Sequence, residues 1–336
     1  MKRKVFLLIN TGTPDKPEVR EVRRYLSQFL NDKRVIDLPW LARKILVNMI
    51  IVPFRAPKST RLYKKLWTDK GFPLLNNLNN LVEKIQKRLG NEYLVLGAMR
   101  YGNPSMEDAL RKIKHLSPEK VIVFPLFPHY ASATTGSIHE YILNEIKNWN
   151  IIPELKFAGQ FYSHPSFINA FVNQIRRYEP QKYDHVLFSY HGLPMRQIQK
   201  VHPETDCKLC LCADKFPDHG SFCYKATCYE TSRIFAERLN LNKNQYTTSF
   251  QSRLSKNWLS PFSDKTLIEL AQSGAKRVLV VAPAFVADCL ETIVEIQDEY
   301  QILFKEAGGE ELVMVESLND TDEWADGIVT ICKDTD

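Results

Sequence analysis

The sequence predicts an α/β protein made of two similar halves, each a parallel sheet flanked by helices. Short β-branched runs alternate with amphipathic helical patterns along the 336 residues. Several of the early strands find a counterpart in the second half, and two successive pairs share one sequence offset. The strands also end in turns rich in Gly and Pro. The cleft between two such halves is the default place for a ligand. The division is drawn at residues 1–163 and 164–336, with an irregular apolar lip at 35–75 in the first half and a cysteine-rich insert at 202–228 in the second.

Val5–Asn10 reads as a strand closed by Thr11-Gly12-Thr13-Pro14, and Glu18 to Leu30 as a helix with Val22, Tyr25, Leu26, Phe29 and Leu30 at helical spacing. Within the lip, Trp40, Leu41, Ile45, Leu46, Met49, Ile50 and Val52 form an apolar run edged by Arg43, Lys44, Arg55 and Lys58. Two readings stay open for it: packing into a core, or a rim facing a flat apolar ligand or a membrane surface. Alternation resumes with strands Tyr93–Met99, Val121–Phe127 and Glu154–Phe161, and with helices Ser105–Leu116, Gly136–Trp149 and Ser166–Tyr178. The second set of strands is Val186–Ser189, Tyr246–Gln251, Val278–Ala282 and Glu311–Val315.

Composition narrows the class. Hydrophobic content of 44% and charged content of 25% suit an ordinary soluble protein. The net charge of +6 comes from basic residues spread along the chain, which argues against a nucleic-acid partner. The apolar run after Met1-Lys2-Arg3-Lys4 ends at Asn10, too short for a signal peptide, and no stretch approaches a membrane span. The expected location is cytoplasmic. Neither half carries a glycine-rich dinucleotide turn or a phosphate-binding loop, which weakens nucleotide-dependent chemistry.

The chemistry-bearing residues cluster at expected strand ends, where α/β sheets bind ligands. Val186-Leu187-Phe188-Ser189-Tyr190 runs into His191 before Gly192-Leu193-Pro194 breaks the strand. A histidine there either exchanges protons or ligates metal, or it is a hydrogen-bonded structural group. Asp288, Glu291 and Glu295 follow Val278–Ala282 at i, i+3 and i+7, which puts three carboxylates on one face of an expected helix. They either complement the helix dipole or bind a cation and relay protons. Pro128 to Ser137 is a hydroxyl-rich loop suited to hold an anion or to cap a helix, and Arg100 could meet a carboxylate. Cys207, Cys210, Cys212, Cys223 and Cys228 crowd one short segment, which in a cytosolic protein argues for metal binding over disulfides.

Six segments then carry a resemblance over nearly the whole chain. They are Asn10-Thr11-Gly12-Thr13-Pro14, Met99 to Ser105, Thr134-Thr135-Gly136-Ser137, Ser189 to Pro194, Phe250-Gln251-Ser252-Arg253 with Trp258-Leu259, and Asp288-Cys289-Leu290-Glu291-Thr292. In this order the chain resembles the ferrochelatases. The resemblance implies two Rossmann-like halves of the class II chelatase type, with the active-site cleft between them. It also implies insertion of Fe²⁺ into protoporphyrin IX with release of two protons, the terminal step of haem synthesis. His191 would receive pyrrole protons or present iron, with Glu291 opposite, and Asp288 and Glu295 would extend an acidic track. Ile50–Phe54, Tyr63, Tyr130, Trp258 and Phe285 would wall the ring. Arg55, Lys58, Arg100 and the Ser132–Ser137 loop, Thr135 included, would meet the propionates. Two positions depart from the family: Thr11, near one ring face, where a larger side chain is usual, and His129, where Gln is frequent, so that a second metal-capable residue would line the cleft.

Four thiolates spaced Cys207-x₂-Cys210-x-Cys212-x₁₀-Cys223 suit an iron–sulfur cluster or tetrathiolate Zn²⁺. The resemblance favours a [2Fe–2S] cluster, with Zn²⁺ as the alternative and Cys228 as a bystander. Rival readings are a coproporphyrin ferrochelatase, a non-catalytic tetrapyrrole or metal carrier of the same fold, and a metal- or cluster-sensing regulator. The apolar lip adds peripheral contact with the inner face of the membrane. Oligomeric state and the side of iron entry carry no signal in the residue types.

Overall fold

The computed structural model describes residues 4–207 and 209–336. Met1–Arg3, from the basic start, and Lys208, in the cysteine-rich segment, lie outside the described residues. The chain forms two compact units, one comprising the chain up to Phe127, Ala131–Gly159 and Asp320–Asp336, the other Pro128–Tyr130 and Gln160–Asn319.

In the first unit the elements are β1 (Lys4–Thr13), α1 (Val19–Leu30), α2 (Trp40–Ile45), α3 (Val52–Leu66), α4 (Pro73–Leu89), β2 (Tyr93–Gly102), α5 (Met106–Leu116), β3 (Lys120–Pro125), α6 (Ser137–Ile146) and β4 (Glu154–Phe157). All four strands are parallel, in the order β2-β1-β3-β4. β1 is an inner strand, so Val5–Ile9 are apolar without alternation and fully buried. Val5, Leu7 and Ile9 meet Leu110 and Ile113 of α5 and Ile138 and Ile142 of α6 in one core. At the end of β1, Gly12 has φ +118°, and a Cβ there would stand 1.8 Å from the Tyr101 carbonyl oxygen, so only glycine fits.

The second unit holds α7 (Pro165–Arg176), β5 (His185–His191), α8 (Met195–Gln199), α9 (Tyr224–Arg238), β6 (Tyr246–Gln251), α10 (Ser263–Gln272), β7 (Arg277–Val281), α11 (Gln301–Glu306) and β8 (Glu311–Met314). Its parallel sheet runs β6-β5-β7-β8, the same winding as the first. The repeat extends to register: Val121 pairs with Leu155 in one sheet, and Val278 pairs with Leu312 in the other. Beneath β5, Phe188, Phe235, Phe171 and Phe167 interlock with ring centroids 5.2–6.2 Å apart.

The final helix, α12 (Asp322–Thr335), belongs to the first unit, although the sequence division at residue 163 assigns it to the second half. Trp324, Ile328 and Cys332 are buried, and the Asp336 carboxylate accepts from Lys4 Nζ at 2.5 Å and from the Tyr93 hydroxyl at 2.7 Å. Helix α4 was not anticipated either, although Leu74, Leu78, Leu81, Ile85 and Leu89 make a buried stripe at helical spacing. The apolar lip divides between core and surface. Val47, Val52 and Ala56 pack with Val22, Leu26 and Leu30, whereas Trp40, Met49 and Phe54 are 65%, 72% and 73% exposed. A π-helical stretch at Leu46–Ile51 separates α2 from α3.

Replacing Phe188 by Ala should leave a large void among the phenylalanines and lower unfolding free energy by about 3–5 kcal/mol in denaturant titration.

Candidate active site

His191 ends β5 in register with Gln251, which ends β6. The chain must turn sharply there, and Gly192 permits it. Its N–H donates to the Gln251 carbonyl at 2.8 Å, and a Cβ would fall 2.8 Å from that oxygen and 3.3 Å from the Trp258 ring. Beyond the turn, Met195 N–H donates to Asn257 O and Leu259 N–H to Leu193 O, a short antiparallel clasp that carries Trp258 to His191. The ring centroids of Trp258 and Phe285 lie 6.4 and 6.2 Å from the imidazole. His191 Nδ1 lies 2.6 Å from the Gly192 carbonyl oxygen, which makes Nδ1 the donor; in the neutral imidazole the lone pair is then on Nε2.

The acidic segment differs from the helix the spacing predicts. Asp288 precedes any helix, and Glu291–Tyr300 is a π-helix, so the three carboxylates do not stack on one α-helical face. Asp288 is buried and turned to the 317–319 loop, accepting from Asn319 Nδ2 at 2.7 Å and Ser317 N–H at 3.2 Å. Glu291 and Glu295 are half-buried. Glu295 accepts from Ser252 N–H (2.8 Å), the Ser252 hydroxyl, the Tyr300 hydroxyl (2.9 Å) and Gln251 Nε2 (3.2 Å). Gln251 Nε2 also donates to the Glu291 carbonyl at 2.9 Å, while its Oε1 accepts from Ser189 Oγ at 2.8 Å. Gln251 and Ser252 therefore hold the acidic π-helix on the end of β6, beside the strand end that carries His191, while Tyr300, on the π-helix itself, steadies Glu295. Gln251 and Ser252 lie in a segment the sequence singled out, but nothing local to them shows that their partner stands some forty residues on. A cavity of about 350 Å³ lies beside them, lined by Ser252, Arg253, Lys256, Asp264, Glu295 and Tyr300.

Tyr130 also lies in this unit, its N–H on Gln160 Oε1 and its ring edge-on to Phe222 at 5.8 Å. His129 is not an open, metal-capable side chain. It is 2% exposed, its Nε2 sits 2.9 Å from the Thr231 hydroxyl, and Tyr162, Tyr190 and Tyr224 surround it. Burial lowers its pKa to about 3, so it stays neutral at physiological pH.

In the cysteine-rich segment Cys207, Cys212 and Cys223 are buried and Cys210 is half-buried. Cys210 Sγ stands 3.5 Å from His219 Nε2. Burial pushes the Cys212 thiol up to about 12; Lys225 opposes this, and Cys210, hydrogen-bonded to it, adds to it. Cys207 and Cys223 are also raised, by burial first and by neighbouring thiols. These soft donors stand near one another, yet among the described residues no three His, Cys, Asp or Glu side chains form a group that could hold a metal ion. Cys228 is fully buried on α9 and hydrogen-bonded to Tyr224.

The first unit gathers another set. Arg100 lies between the rings of Tyr101 and Tyr141, at 4.8 and 4.7 Å, with Nε on Ser137 Oγ and Nη2 on Asp32 at 2.8 Å. Its charge is thus met inside the protein. Arg55 and Lys58 are exposed, and Thr11, Tyr63 and Ser132 half-buried. The Ser132–Gly136 loop is a π-helical turn, with Ser132 Oγ accepting from Arg34 and the Thr135 hydroxyl buried.

Burial works to raise the Asp32 carboxyl, but Ser137, the Arg34 N–H, Arg100 and Tyr101 outweigh it, and its pKa lies below the ordinary value. Its stabilisation is therefore whole above pH ~4 and is lost as pH falls through the lowered value. Asp32→Asn should be less stable at neutral pH and lose less stability below pH ~4, measured as melting temperature against pH.

A family model described as ferrochelatase matches residues 3–335. A protein of Legionella pneumophila (strain Lens) named ferrochelatase is 44% identical over 333 residues, covering 99% of both chains. One of Coxiella burnetii (strain CbuK_Q154), also named ferrochelatase, is 42% identical over 337 residues, covering 97% of this chain and 92% of its own. Among solved structures, SirB from Bacillus subtilis with Fe³⁺ aligns over 99% of this chain and 95% of its own, with a TM-score of 0.57 at 10% identity, a likeness of fold. With a strand-end histidine beside two aromatic rings and a match that spans nearly the whole sequence, the chain belongs to the ferrochelatase family.

Proposed function

We propose that the protein is a lyase that inserts Fe²⁺ into protoporphyrin IX, giving protohaem and two protons. The observation that carries this reading is His191 at the end of β5, with Nδ1 engaged by the Gly192 carbonyl and the rings of Trp258 and Phe285 beside it. Insertion requires that two pyrrole N–H protons leave, that the macrocycle pucker so its nitrogen lone pairs meet the metal, and that Fe²⁺ shed water. A neutral imidazole accepts a proton near neutral pH, and a carboxylate such as Glu291 accepts the second or holds the partly dehydrated metal. Glu295 is fixed by four hydrogen bonds along the same helix. Trp258 and Phe285 exclude water beside His191 and present flat apolar surface to a ring, as Tyr130 and Tyr63 would. For the propionates the exposed cations Arg55 and Lys58 are better suited than Arg100, whose guanidinium is engaged by Asp32.

The cysteine-rich segment is proposed to hold a [2Fe–2S] cluster on Cys207, Cys210, Cys212 and Cys223. Their spacing supports that reading. Such a cluster would brace the segment, since insertion moves no electron. Anaerobic mixing of protein, Fe²⁺ and protoporphyrin IX should replace free-porphyrin bands by haem bands, with His191→Ala slower by at least ~100-fold. Visible bands in the protein before mixing would mark the cluster, and a colourless zinc-containing protein would overturn it. Ring binding without turnover, on protoporphyrin and coproporphyrin alike, would favour a carrier.

The exposed Trp40, Leu41, Ile45, Met49, Ile50 and Phe54, beside Lys44, Arg55 and Lys58, fit peripheral contact with an anionic bilayer from the cytoplasmic side. No described helix is long and apolar enough to cross a membrane. The protein should co-sediment with anionic vesicles at low salt, and Trp40→Ser with Phe54→Ser should reduce the bound fraction several-fold.

A further inference from the structure

The direction of the His191 imidazole is set by the peptide unit between residues 191 and 192. Its N–H is held by the Gln251 carbonyl at 2.8 Å. Its carbonyl oxygen, past the end of the β5 ladder, accepts from the Tyr224 hydroxyl at 3.0 Å. With both sides pinned, this peptide resists rotation and fixes the point from which Gly192 turns; the carbonyl of Gly192, on the next peptide unit, lies 2.6 Å from His191 Nδ1. Loss of the Tyr224 hydroxyl would leave an inward carbonyl without a partner and free the peptide to rotate.

Tyr224 is itself firmly seated. It is 6% exposed and begins α9, directly after Cys223. On the same helix Thr231 meets His129 at 2.9 Å and Ser232 meets the Tyr190 hydroxyl at 2.9 Å, so α9 is fastened to this region at three hydroxyls. Only the Tyr224 contact reaches the strand-end peptide that carries His191.

We propose that Tyr224 is a positioning residue for metal insertion, fixing the tautomer and direction of the His191 imidazole through the residue 191 carbonyl. The proposal rests on His191 acting as proposed above. It is tested with Tyr224→Phe in the full chain, and with Ser232→Ala as a control that removes another hydroxyl from the same helix. Three readouts are taken: melting temperature, Fe²⁺ insertion kinetics, and the ¹⁵N resonances of the His191 side chain. Tyr224→Phe should lower kcat about tenfold with porphyrin affinity within twofold, and the ¹⁵N shifts should move toward a mixture of tautomers. Ser232→Ala should lower the melting temperature and leave the His191 resonances in place. Unchanged His191 resonances in Tyr224→Phe, or a loss of melting temperature alone, would overturn the proposal. If the wild type inserts no iron, the functional reading fails, while the ¹⁵N comparison still decides what Tyr224 does.

Discussion

The side-chain amide of Gln251 is the constraint on which the second unit's site depends. The residue is 1% exposed, and its amide oxygen accepts from Ser189 of the neighbouring strand while its amide nitrogen donates to the Glu291 carbonyl and the Glu295 carboxylate. Its backbone oxygen takes the Gly192 N–H. One side chain thus ties the strand bearing His191 to the helix bearing the acidic groups. Such a link has a high cost of failure. Removing the amide would take one partner each from the Ser189 hydroxyl, the Glu291 carbonyl and the Glu295 carboxylate. Histidine and carboxylates are the groups proposed to react, and glutamine makes their spacing reproducible.

Much of this was legible in the sequence. Inner strands such as Val5–Ile9 and Val186–Tyr190 declare themselves because a strand covered on both faces is apolar throughout. The likeness of the two sheets could be read because matching strands keep both their order and, in the outer pair, their register. The strand-end position of His191 followed from the Gly and Pro that stop the strand. Helix α4 is less legible because its leucine stripe is broken by four asparagines and follows directly on the irregular lip.

The site was less legible for reasons of geometry. Glu291 and Glu295 read as an α-helical stack because sequence spacing says nothing about whether a helix closes its bonds at i+4 or i+5. Asp288 fell outside the helix because the 317–319 loop offers its carboxylate better donors. The same kind of competition governs Arg100: its strand-end position suggested an anion, but Asp32, some seventy residues earlier, already supplies one. His129 invited a functional reading by residue type alone. Three tyrosines and a threonine instead make it a neutral packing element. In each case the deciding partner is remote in sequence, and pattern reading sees only what is near.

The placement of α12 has a consequence for how the protein is made. The first unit's fold includes Asp320–Asp336, with Trp324, Ile328 and Cys332 among its buried residues and Asp336 holding Lys4 and Lys120. Those residues leave the ribosome only after the whole of Gln160–Asn319, which contains every strand of the second sheet. During synthesis the unit that starts first is therefore completed last, although all of its strands have already been made. Its α4 face waits for its helix while the later unit already has all of its own strands. The interval exposes the apolar surface destined for Trp324, and it is the stage of biogenesis at which chaperones would have something to hold.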